Sequence, residues 1–259
     1  MTNDPSIPET ELSQPIADQG SAVEPDNVVF RTLSVAFAGL IGAILSWVAI
    51  GAIGDVFQLP AELAGLGFGQ ALSPEDQVRL AAATLTRNIG NSSLWLGATG
   101  AILGSLLGIA TCVTRRLGIS GIGVLLATVT LGALFGASAG FTACWMNKVA
   151  FDNLATGATQ PPESMTLLMH SVTWLIAGVG LGLGIAIGRR HKMRSTVGTA
   201  LVTGLAGLLG GCLFPIVTGL FAPAVNSVYP IPALEPVSGQ IIWLSLPSVL
   251  MGLAIGRNA

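Results

Sequence analysis

Trp174-Leu-Ile-Ala-Gly178-Val-Gly180-Leu-Gly182-Leu-Gly184-Ile-Ala-Ile-Gly188 is an unbroken run of apolar and small residues that stops at Arg189-Arg190. Extended back to about Met165, it is long enough at 1.5 Å per residue to cross the roughly 30 Å of bilayer hydrocarbon. Lipid tails supply no hydrophobic drive for helix association. Helices within them gain instead by close van der Waals contact, which glycines four residues apart, as at Gly180, Gly184 and Gly188, permit. The stretch reads as a membrane helix with a small-residue face and a cationic stop.

Its parts recur on both sides. Upstream, Trp95 leads through Gly100, Gly104 and Gly108 to Arg115-Arg116; downstream, Trp243 leads through Ser248, Gly252 and Gly256 to Arg257. Leu107-Gly-Ile-Ala, Leu183-Gly-Ile-Ala and Met251-Gly-Leu-Ala are one phrase in three places, and a further row, Gly132, Gly136 and Gly140, lies between the first two. Working outward gives six helices, at about 32–53, 94–113, 119–145, 165–188, 196–221 and 240–255. The sixth is the shortest, and Pro247 should kink it. The expected fold is an all-α integral membrane protein of three tandem hairpins, about 31–116, 117–190 and 195–257. Each hairpin pairs an odd helix with a Trp-led even helix across a loop holding proline and acid. Two crossings per unit keep all three in one orientation, a parallel repeat in which Gly108, Gly184 and Gly252 are equivalent.

Composition agrees. The chain is 51% hydrophobic and 9% charged, with 34 glycines, where soluble domains carry roughly 25% charge. Its net charge of −2 comes from acids in the first 26 residues and in expected loops, so it implies no nucleic-acid partner. Residues 1–27, rich in acids and prolines without apolar periodicity, read as a disordered acidic tail ahead of a six-helix domain over 28–259. That tail lacks the basic and short apolar regions of a signal peptide, so the first helix is expected to be an uncleaved anchor. Cys112, Cys144 and Cys212, with no CxxC spacing, read as small apolar residues. In the first long loop, Ser73-Pro74-Glu75-Asp76 has the cap, first-turn proline and early acids of a helix start. Val78, Ala82, Leu85 and Ile89 then make one stripe, predicting a short amphipathic helix over 74–89 against the membrane face or the bundle.

Cations at helix ends set the orientation. Arg31, Arg115, Arg116, Arg189, Arg190, Lys192, Arg194 and Arg257 fall at one end, and Arg79, Arg87 and Lys148 at the other. The positive-inside rule then puts both termini in the cytoplasm, with a bacterial inner membrane as the expected location. The basic end also suits lipid headgroups, at about 1 kcal/mol per basic residue. Trp95, Trp145, Trp174 and Trp243 would lie at the outer interface, where an amphipathic ring is favoured.

Chemical motifs are sparse. Gly136-Ala-Ser138-Ala-Gly140 fits G-x-S-x-G and resembles the serine motif of rhomboid-type intramembrane proteases, with His170 as the available base. The nucleophile elbow needs a strand-to-helix turn, however, and this serine is mid-helix; the rhomboid histidine signature is absent. The structural reading, a small residue in a glycine row, is preferred. A proton-coupled carrier normally holds a buried ionisable group, and apart from His170 the expected helices have none. Thr99, Ser105, Thr128, Thr130, Thr142, Thr203, Thr218 and Ser245 could line a path for a neutral solute, although such hydroxyls commonly bond back to their own helix. Asn91-Ser-Ser fits a glycosylation acceptor in a secretory route. No catalytic, cofactor or metal residues are assigned, and these residues identify no family. The expected function is a non-catalytic packing or accessory subunit of a membrane assembly, its glycine rows used mostly for packing within the chain and otherwise as a surface for a second copy or a membrane-protein partner. The alternative is a channel or carrier for a neutral solute or lipid.

Overall fold

A computed structural model describes residues 25–66, 72–154, 160–190, 193–222 and 237–258. Its long helices are α1 (Pro25–Ile53), α3 (Pro74–Arg115), α4 (Gly121–Asp152), α5 (Glu163–Gly188), α6 (Met193–Phe221) and α7 (Val237–Asn258), with a single-turn α2 at Ala61–Ala64. All six long helices are apolar enough over sufficient length to cross a membrane, and the described residues contain no strand. This is the all-α, multi-pass membrane architecture the apolar runs predict.

The boundaries depart most from the sequence reading in three places, one being the end of α4, which runs on to Asp152 rather than stopping near 145. The amphipathic segment 74–89 and the second membrane helix are one uninterrupted helix, α3, of 42 residues. Its start was legible: Ser73 Oγ accepts from Asp76 N at 3.1 Å and donates to the Asp76 carboxylate at 2.7 Å, capping the first turn. The break expected near residues 90–93 is missing because the polar side chains there are engaged by neighbours. Asn91 pairs with the Phe57 backbone, and Ser92 lies 3.0 Å from Cys144 Sγ. The helix ends at Arg116, whose left-handed φ of 52° lets Leu117 N return to Cys112 O at 3.1 Å. The remaining difference is at the N-terminus, where α1 begins at Pro25, so the last residues assigned to the acidic tail are helical. Residues 1–24, His191-Lys192 and the proline-rich loop 223–236 lie outside the described residues.

The long helices form a closed ring in chain order, α1–α3–α4–α5–α6–α7, with α7 returning against α1. Alternate members also meet inside it: α3, α5 and α7 touch one another, while α1, α4 and α6 fill the gaps from outside. Burial follows the same alternation, from 61% of the most apolar window of α5 to 22% of that of α4. Leu96, Leu103 and Leu107 from α3, Trp174, Leu181 and Ile185 from α5, and Trp243, Met251 and Ile255 from α7 form the core, joined by Phe214 of α6. Arg31 Nε donates to Gly256 O at 2.9 Å, placing the first and last helical segments at one end of the bundle, here the terminal end. The opposite end is the loop end.

Candidate functional site: a filled centre and a polar-rimmed cavity

At the centre, His170 is wholly buried, and its Nδ1 accepts from Trp243 Nε1 at 3.0 Å. An accepting Nδ1 carries no proton, so the bond fixes the ring's tautomer. Phe214 meets the imidazole edge-to-face with centroids 4.9 Å apart, and Trp174 meets Trp243 in the same manner at 5.0 Å. Such pairs contribute roughly 0.5–1.5 kcal/mol beyond their buried area. Trp174 and Trp243 are thus core residues, not the interfacial anchors expected of them; the aromatic face wins because His170 satisfies one indole N–H. Trp145, half exposed and stacked on Phe141, keeps a surface position.

Ser138 and His170 have different surroundings. Ser138 is exposed on α4 and donates to Leu134 O of its own helix at 2.9 Å, whereas His170 is enclosed between α6 and α7 residues. The hydroxyls considered as path-lining are largely turned inward on their own backbones: Ser105, Thr128, Thr142, Thr203 and Thr218 each donate to a carbonyl four residues earlier. Thr99 and Ser245 keep buried hydroxyl oxygens without a partner among the described residues.

The glycines lie where backbones meet. A Cβ built on Gly100 would fall 1.9 Å from Gly132 O, one on Gly104 2.3 Å from Thr128 O, one on Gly136 2.2 Å from Leu96 O, and one on Gly140 2.3 Å from Ser92 O. On the other side of α4, Cβ atoms at Gly180, Gly184 and Gly188 would meet Phe135 Cβ at 2.3 Å, Thr128 Cα at 2.6 Å and Val124 Cα at 2.4 Å. Those at Gly252 and Gly256 would meet Ala36 Cα at 2.7 Å and Thr32 Cα at 2.6 Å of α1. The shared sequence phrase does not carry a shared neighbour. Gly108 and Gly252 face the helix that follows in the ring, whereas Gly184 faces the one before it, with Gly178 and Gly182 turned to α6.

The terminal end gathers Arg31, Arg115 and Arg189 closely enough for repulsion between them to register. Burial first, and Arg31 second, push the Arg189 guanidinium below its ordinary value. Arg116, Arg190 and Arg194 are exposed at the same end, as is Arg257.

The feature the sequence reading missed is at the loop end. Small residues hold α3 against α4 as far as Ser92 and Gly140; beyond Cys144, α4 continues with Trp145, Met146, Asn147 and Lys148. Between these extended ends is a cavity of about 600 Å³. Leu80, Leu85, Trp95 and Phe151 give it apolar walls, and Asp55, Arg87, Lys148 and Asp152 line it with charge. Arg87 pairs with Asp55 at 2.5 Å, and Lys148 pairs with Asp152 along α4. The segment after α1 is tied down beside it. Asn91 donates to Phe57 O at 3.0 Å and accepts from Phe57 N at 2.9 Å, while Trp95 Nε1 donates to Gly54 O at 2.8 Å. Asn91 is therefore a buried structural amide, and a glycan on Nδ2 would displace one of its two bonds. The available signal was the density of amides and charges from Arg87 to Asn91 facing Asn147 to Asp152, which becomes meaningful only when α3 and α4 are seen to run antiparallel past Gly140.

No family model matches the chain, and no curated protein or solved structure shows detectable similarity to it.

Proposed function

We propose that this chain is a non-catalytic membrane scaffold or accessory subunit built from three parallel-repeat hairpins, in which the glycine rows are used for packing. The observation that carries the reading is the filled centre. A conduit needs a polar, hydrated path between its inner helices, and here Trp174, Trp243, Phe214, Leu181, Ile185 and Met251 occupy that space with no more than 1% exposure each. Alternation of inner α3, α5, α7 with outer α1, α4, α6 supports the repeat. Gly184 departs from the expected equivalence, because it is turned to the preceding helix where Gly108 and Gly252 face the following one.

In this reading the rows containing Gly100, Gly132, Gly184 and Gly252 are occupied within one copy. A partner or second copy would instead meet lipid-side residues such as Leu126, Leu134 and Phe141 of α4. The basic end faces the cytoplasm of a bacterial inner membrane, with its arginines among lipid phosphates. Native mass measurement after extraction in mild detergent tests the role: a defined complex larger than one chain is expected, and a uniform single chain would contradict it.

A further inference from the structure

We propose that the loop-end cavity between α3 and α4 binds the zwitterionic headgroup of an amphiphile, one carrying a phosphate and an ammonium above an apolar portion. A volume of about 600 Å³ lies within the range of small-molecule sites, which are mainly apolar with a few placed polar groups. The four charged residues in the lining are two cations and two anions, held as Arg87–Asp55 on one side and Lys148–Asp152 on the other. Their charges cancel, so an ion of either sign gains no net attraction. A zwitterion gains at both ends, its phosphate reaching Arg87 or Lys148 and its ammonium Asp55 or Asp152. All four side chains are partly exposed, so contact with a ligand does not require a charge to be dragged out of a dry interior.

The position favours an occupant with an apolar part. Trp95, bonded to Gly54 O where α1 ends, lies on the inner side with Leu85, while Leu72, Gln77 and Asp152 line the outer reach. An occupant of the cavity thus meets apolar wall and charge together. The amides of Asn88 and Asn147, also in the lining, supply donors and acceptors for the ester or glycerol oxygens of such a molecule.

The test uses the full chain in detergent and native mass spectrometry with three probes: short-chain phosphatidylethanolamine, short-chain phosphatidylglycerol and glycerophosphoethanolamine. Phosphatidylethanolamine should be retained about ten-fold better than phosphatidylglycerol, a difference of about 1.4 kcal/mol. If glycerophosphoethanolamine competes at similar concentration, the headgroup alone is the ligand and a soluble source suffices; failure to compete assigns the site to membrane lipid. Ala81→Trp fills the cavity from an exposed position and should abolish retention with the melting temperature unchanged. Asp152→Asn, at an exposed helix end, leaves the lining net positive and should turn the preference towards phosphatidylglycerol. Equal retention of the two lipids by the natural chain, or a preference unmoved by Asp152→Asn, would overturn the proposal.

Discussion

At the scale of single residues, the bundle makes one amino acid do opposite things at different addresses. Gly100 and Gly132 touch through their backbones, with 1.9 Å left for a Cβ on Gly100, so Gly100→Ala must push α3 from α4 along several turns. Loss of those contacts should cost about 1–3 kcal/mol, the usual range for overpacking, read as a lowered melting temperature in detergent. Gly219 has nothing within 4 Å of its would-be Cβ, so Gly219→Ala should stabilise α6 by about 0.5–1 kcal/mol. The same melting assay checks both, and equal effects would show that the backbone approaches are not what holds these helices. The Trp243–His170 bond is a second address-dependent case. Trp243→Phe keeps the ring packing but leaves a buried imidazole nitrogen without its donor, which should cost about 1–3 kcal/mol; a neutral result would mean that the aromatic contacts alone carry the centre.

At the scale of elements, α3 decides the shape of the loop end. Spin labels replacing Val78 and Val113, both 70% exposed, in a background lacking the native cysteines should be separated along one straight helix. The expected distance is about 52 Å from 1.5 Å per residue, and a much shorter or broad distribution would restore the separate amphipathic helix. All six membrane helices were legible because continuous apolar length is dictated by bilayer thickness, and the cap at Ser73 because its chemistry is local. Continuity through Asn91 was not legible, since it depends on Phe57, thirty-four positions away in the chain. The burial of Trp243 was hidden for the same reason, since it depends on His170 being brought to its indole N–H, and that of Trp174, whose indole nitrogen has no partner among the described residues, rests on its ring contact with Trp243. The cavity escaped because it is made by two helix extensions whose register appears only with the fold.

At the scale of the whole molecule, orientation and role are open to direct measurement. With the basic end inside, cysteine at position 194 should resist membrane-impermeant maleimide in intact cells and react after permeabilisation, while cysteine at position 79 should react from outside; the reverse pattern would invert the topology. The role proposed for the ring of helices is assembly around a packed interior. It is tested most directly by solute flux into liposomes containing the purified chain at known orientation, using uncharged solutes from water and glycerol upward. Rates equal to those of protein-free liposomes are expected for the natural chain, and unchanged on Thr128→Val or Thr203→Val, whose hydroxyls donate to their own helix backbones. Saturable flux by the natural chain, altered by those substitutions with the fold intact, would contradict it.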